Sequence, residues 1–398
     1  MGIILSHTTA KAVYQAAYSV ASSTAEPCTD GSMLSARPSR ELIDSVTDWL
    51  AAHSVQLDEN APVEITVFAR DNAHQLAGCR CHVSAKRFSS SRFIKLTNEI
   101  GIVGVELCAL QAATYMSFRE LVEYYFELCS AYSLGNDPAT SYTERPALTS
   151  TAKLKHFFSS LTACDGLVLA RKAISCVRDG CRSPMETAFV MMLTLPKREG
   201  GLGIDGVETD YPVNVTSIAK ALTRRTRFYL DAYLKKSRTD IEYDGFYHDT
   251  EENRAIDEER KNALAAMGYG IITVSRHSFM HAKPFARVME AIQRKEGIRP
   301  SRLPKNFGVK QEELRKFVLR RYIEEREKAQ EKLRQDREER ARIEYENAQI
   351  MGTVDDPTIN VAPEPDDMQT VDFQADEAGK SYANIPEGKV YGSQTLPA

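Results

Sequence analysis

The chain has 398 residues, 42% of them hydrophobic, and carries 55 Asp/Glu against 51 Lys/Arg for a formal net charge of −4. That length accommodates two domains with appendages, and that apolar fraction supplies ordinary cores. No apolar run reaches membrane-spanning length, and the opening stretch lacks a basic segment followed by an unbroken apolar one, so neither a membrane partner nor a secretory leader is expected and the cytoplasm is the expected compartment.

In chain order, Ser6 is placed to cap a helix through about Ala17, and Ser39 a second through about Ala52 with Ile43, Val46 and Leu50 on one face. Val63 to Ala69, Cys79 to Ser84 and Arg92 to Leu96 read as strands, and a helix is expected near Val105 to Tyr115. The eight cysteines include no C-x-x-C pair, so neither a zinc ribbon nor a disulfide framework is signalled. Cys79, Cys81 and His82 are metal-ligand types, but alternate positions of a strand account for them more simply. Ser117 and Glu120 form a capping box that opens the next helix. Residues 1–132 therefore read as a small α+β domain, with a linker over 133–150, where turn formers dominate and no apolar period survives.

Residues 151–298 begin with two expected helices, Lys153 to Leu161 and Gly166 to Val177, and a third opened by Ser183. Phe228 to Leu234 and Thr239 to Asp244 are β-rich runs joined by a polar connection of hairpin length, which predicts an antiparallel pair. Asp231 lies in the middle of the first run. Glu242 and Asp244 are two apart on the second, so the strand period puts both on one face. Acids crowded on one sheet face destabilise it unless a positive charge sits among them, and oxygen ligands suit a hard divalent cation. The expected cofactor is magnesium or manganese, held by Asp231 and Glu242.

An acid on one strand, E-x-(K/D) on the next, then Gly245 and His248, a helix with Asp257 and Arg260, and a strand opening Gly268-Tyr269-Gly270-Ile271-Ile272 form an ordered set. This set resembles the very-short-patch-repair-like (Vsr-like) branch of the PD-(D/E)XK nuclease superfamily, and the resemblance covers roughly residues 160–295. It extends upstream to the helix start Ser183-Pro184-Met185-Glu186 and the turn at Gly200-Gly201. It implies an α/β chain whose carboxy-terminal part is a restriction-endonuclease-like mixed β-sheet flanked by helices, and it implies a DNA endonuclease of repair or of defence against phage and mobile elements. Asp231, Glu242, Asp244, His248 and Glu186 would be its catalytic residues. Asp257 and Arg260 would order the site or contact a phosphate.

The sequence departs from the superfamily at Asp244, which stands where lysine is usual. That departure leaves a second reading open, a DNA-binding, antitoxin-like regulator whose nuclease-like domain has lost catalysis. His248, with an unperturbed pKa near ~6.5, is the candidate general acid or base, and hydrogen bonding within the turn is its simpler role. Glu186 also has two readings. Ser183 and Pro184 make it part of a helix start, and the resemblance makes it a support for the metal. Asp257 and Arg260 have the spacing of an ordinary helical ion pair. The amino-terminal region is similar to the corresponding part of abortive-infection antitoxin-like proteins, which implies DNA or partner binding.

Lys220, Arg224, Arg225 and Arg227 precede or open the first metal strand, and Lys235, Lys236 and Arg238 sit in its hairpin, where they could grip phosphates or blunt a strand edge. From about residue 309 to 350 the chain has no glycine or proline. Leu314, Phe317, Val318 and Tyr322 form a dockable stripe, and beyond them opposite charges recur at helical spacing. This charged helix is a second candidate surface for a protein partner. Residues 351–398 carry nine Asp/Glu against two Lys and are expected to be disordered. That surplus of negative charge leaves residues 1–350 net positive, which suits a polyanionic partner.

Overall fold

The computed structural model describes residues 2–16, 37–134, 142–244 and 251–350. His248 and the acidic tail lie outside them. The chain is α/β, with mixed sheets flanked by helices. It divides into one compact unit, Met1–Glu331, and a second, Lys332–Ala398.

The first sheet is assembled by β1 (Ile3–Leu5), α1 (His7–Ala16), α2 (Arg40–Ala52), β2 (Val63–Val67), β3 (Cys79–Val83), β4 (Phe93–Lys95) and β5 (Ile100–Val103). Its strand order is β3-β2-β1-β5-β4, with β1 parallel to β5 and antiparallel to β2. The Ser39 side chain accepts a hydrogen bond from the Leu42 amide, and Ile43, Val46 and Leu50 are buried, as the spacing predicts. Cys79 and Cys81 are alternate strand residues and free thiols.

Two helices follow, α3 (Val105–Ala112) and α4 (Phe118–Cys129), the latter opened by a complete Ser117/Glu120 capping box. A short hairpin of β6 (Tyr132–Ser133) and β7 (Thr143–Glu144) and the helices α5 (Thr151–Ser160) and α6 (Leu167–Ile174) lead to α7 (Pro184–Thr194). The described part of the expected linker is tied into the fold. Arg145 is buried and donates to the Glu127 carbonyl oxygen, and the amides of Leu148 and Thr149 donate to the Leu128 carbonyl.

The second sheet is built from β8 (Val207–Asn214), β9 (Arg227–Leu234) and β10 (Thr239–Asp244), crosses over through α8 (Glu251–Ala266), and closes with β11 (Gly270–Ser275). Its order is β11-β10-β9-β8. The first three strands are antiparallel, and β11 runs parallel to β10, the pairing that a helical crossover permits. α9 (Arg276–Met280), α10 (Ala282–Glu296) and the long α11 (Phe307–Ile350) complete the chain.

One continuous core holds the first unit together. It contains Ile4, Ile65 and Ile102 of the first sheet, Leu234, Ile241 and Val274 of the second, and Leu314, Val318 and Leu319 of α11. The two sheets therefore share a core across the 133–150 segment. A separate small cluster, including Val213, Val215, Ala219, Ala263 and Leu264, packs α8 against the second sheet. In the second unit the described side chains Arg334, Gln335, Glu339, Arg340, Arg342 and Ile343 are exposed, as expected of a charged, solvated helix.

Candidate functional site

Strand register puts the acids together. Tyr233 pairs with Asp240 and Ala232 with Ile241, so the next pair brings Asp231 beside Glu242 on a shared face. Glu242 in turn pairs with Thr273 of β11. An open cavity of about 230 Å³ lies over this face, lined by Asp231, Glu242, Asp244, Asp257, Arg260, Tyr229, Tyr243 and Thr273. The convergence expected of Asp231, Glu242 and Asp244 is thus present. The Tyr243 amide also donates to Asp231 Oδ2 at 3.3 Å, fixing that carboxylate against the neighbouring strand.

Arg260 is the cation of the cluster. Its Nε donates to Glu242 Oε1 at 2.8 Å, and its Nη2 reaches the Tyr229 carbonyl oxygen at 2.8 Å and Asp240 Oδ2 at 3.2 Å. The helical spacing of Asp257 and Arg260 does not make them partners. Asp257 pairs instead with Lys261 at 2.8 Å, one turn on, while Arg260 turns to the strands. Both still face the cavity, so the structure brings Asp257 and Arg260 to the site by separate routes.

Asp240 is not apparent as a site residue in the sequence. It shares the face of Glu242 and Asp244 by the same period of two. It is fully buried, and its Oδ1 has no hydrogen-bond partner. Burial, with the Glu242 and Asp231 charges beside it, pushes its carboxyl up to about 8. Asp231 is likewise raised, first by burial and then by Glu242, against the pull of Arg260 and the Tyr243 amide. More negative charge is gathered on this face than Arg260 neutralises.

Glu186 serves the helix start visibly. Its carboxylate accepts from the Arg182 amide at 2.8 Å and the Ser183 hydroxyl at 3.1 Å, and its own amide donates back to Ser183 Oγ. It does not line the cavity. Burial still raises it to about 7, with Asp231 adding to the rise. Arg182 is a second residue the sequence does not single out. It bonds Asp210 at 2.6 Å and lies 5.6 Å from the Tyr229 ring centroid, and its charge lowers both Glu186 and Asp231.

The hairpin cations sit elsewhere. Lys235 pairs with Glu208, Lys236 donates to the Glu296 carbonyl oxygen, and Arg238 donates to the Met267 carbonyl and lies over Tyr269. None of the three lines the cavity. Their bonds fasten the hairpin to the fold, away from the cavity. His248 is outside the described residues.

The donor set fits a hard cation. Every acidic group in the cavity offers oxygen, and magnesium commonly uses one or two carboxylates with water and substrate phosphates. Among the described residues no group of three or more His, Cys, Asp or Glu forms a fuller metal cage. No known family pattern, curated protein or solved structure matches the chain.

Proposed function

We propose that this chain is a metal-dependent endonuclease that hydrolyses DNA phosphodiester bonds, built on a very-short-patch-like PD-(D/E)XK core and acting in repair or in defence against phage and mobile elements. One observation carries the reading. Asp231 and Glu242, on neighbouring strands, face one open cavity together with Asp244, Asp257 and Arg260. The succession of an acid on β9, Glu-x-Asp on β10 and Asp-x-x-Arg on α8 ahead of β11 supports it.

Asp231 and Glu242 would hold magnesium or manganese. When bound, such an ion supplies Lewis-acid polarisation of a phosphoryl oxygen and makes water a stronger acid. The chain's own groups do the rest. Arg260 offers a planar, permanently charged donor fork at the cavity wall, suited to a phosphate oxygen, and meanwhile orients Glu242. Asp244 is acidic and supplies no positive charge where lysine is usual, and the resemblance gives the proton-transfer role to His248, an imidazole whose ordinary pKa near ~6.5 suits it. Tyr243 holds Asp231 through its amide.

The hold of Arg260 on Glu242 and Asp240 favours a second reading. An internal cation already answers part of the acidic charge, as it would in a DNA-binding regulator with a silent site. Calorimetric titration with magnesium and manganese separates the two. The nuclease reading expects saturable binding in the wild type that is lost in Asp231→Asn, because that change removes a negative oxygen ligand at constant volume. Absence of binding heat for both ions in the wild type would favour the regulator.

A further inference from the structure

We infer that the loop between β8 and β9, residues 215–226, is the surface through which the chain grips the phosphate backbone of duplex DNA. The identity of the polyanion rests on the nuclease reading above, whereas the grip itself is independent of catalysis.

The register fixes where this loop lies. Asn214 pairs with Arg227, so the loop closes the end of the sheet where β9 begins, whereas the pairing of Leu234 with Thr239 closes the hairpin at the opposite end. The cavity residues Tyr229, Asp231, Glu242 and Asp244 run from mid-sheet toward the loop end. The loop is therefore on the cavity's side, and the hairpin cations are on the far side.

The loop is packed on one face and exposed on the other. Ala219 is fully buried against Ala263 and Leu264 of α8, Val215 joins the same cluster, and the Thr216 amide meets the Met267 sulfur at 3.4 Å. Outward, Lys220, Arg224 and Arg225 are exposed, and among the described residues their side chains make no ion pair or hydrogen bond. This contrasts with Arg227, held by Asn214, and with the hairpin cations, each tied to a partner. Ile218 is 71% exposed and Leu222 43%, so two apolar side chains stand beside the cations. Free cations on a pre-ordered loop beside an acidic cavity suit a polyanion whose backbone must be held while one of its bonds enters the cavity. Ile218 and Leu222 then meet the sugars between phosphates. Cations and apolar tips together also describe a loop that inserts at an anionic membrane surface, so the test must include one.

The experiment measures duplex-DNA affinity of the full chain in EDTA across a series of salt concentrations, so that no cleavage intervenes. Every phosphate that a variant no longer neutralises lowers the slope of log K against log salt by about 0.9. Replacing Lys220, Arg224 and Arg225 together by Gln should flatten the slope by about three such increments, while Lys235→Gln with Lys236→Gln and Arg238→Gln should leave it unchanged. Ile218→Ser with Leu222→Ser should weaken binding at an unchanged slope, since apolar groups release no counterions. The inference is overturned by an unchanged slope in the folded loop variant, by a slope carried by the hairpin, or by a wild type that binds phosphatidylserine vesicles but not duplex. A chain that binds DNA through the loop yet never cleaves it would sustain this inference and defeat the nuclease reading alone.

Discussion

At the scale of single residues, burial raises Asp231, Asp240 and Glu186 above the ordinary carboxylate value. Glu186 has an ordinary value of 4.5 and is raised to about 7 in the fold, burial being the main cause. Between those values the folded chain keeps a proton that the unfolded chain has released. This group's contribution to stability therefore declines as pH rises through that window. Glu186→Gln removes the titration. Its melting temperature, measured against wild type at pH 4.5 and pH 8, should shift in the variant's favour at the higher pH. A difference that stays constant with pH would place Glu186 in solvent-like surroundings. Glu242 and Asp244 can be read in the sequence because a period of two needs no tertiary knowledge, and Asp231 because a hairpin-length connection sets the register. The same period places Asp240 on that face, but neither its burial nor the contribution of Arg182 can be read there. Asp240 is buried where Arg260 of α8 reaches it, and Arg182 pairs with Asp210 of an edge strand, a partner that can be named only once β8 is known.

At the scale of elements, what the sequence discloses is what local chemistry decides. Ser39, Ser117 and Ser183 each open a helix at the expected place, since a cap is an interaction within one turn. The capping box makes a direct prediction. Ser117→Ala should destabilise the chain by about 1 kcal/mol in urea unfolding, and a change near zero would mean that burial of α4 alone sets its start. Five strands are not legible. β6 and β7 are two residues each at the turn-rich segment, too short to carry a period. β1 and β5 are short apolar runs that each lead into a helix, and their pairing is between segments nearly a hundred residues apart. β8 contains Pro212 and polar residues throughout, a composition that argues against a strand unless it lies at an edge, where it is found. Asp210 interrupts it with φ 48°, in the left-handed region, at the position facing Asp231. The same edge placement explains one hairpin cation. Lys235 answers Glu208 on β8, a partner that cannot be named without knowing that β8 exists.

At the scale of the whole molecule, the amino-terminal sheet and the acid-bearing sheet belong to one compact unit with a shared core. The start of α11 is fastened to α4 by a two-pronged pair between Arg320 and Glu123, one prong measuring 2.8 Å. No helix among the described residues is long and apolar enough to cross a membrane. A separation into two cores is the natural reading of the turn-rich 133–150 segment, but turn chemistry marks where the chain bends and says nothing of what it packs against afterwards. Buried Arg145 and the packing of Phe157 and Phe158 in the common core carry the continuity. This frame places β9, β10 and α8 so that Asp231, Glu242 and Arg260 line one cavity. The most direct measurement incubates the full chain with single-stranded, duplex, nicked and mismatched DNA, with and without magnesium or manganese, comparing wild type with Glu242→Gln. The expected result is cleavage by wild type only when a divalent ion is present and at least a roughly hundredfold loss in the variant, on the order of what one electrostatic catalytic group contributes. Glu242→Gln cutting as fast as the parent, or no cleavage by wild type of any of these substrates with either ion, would contradict it.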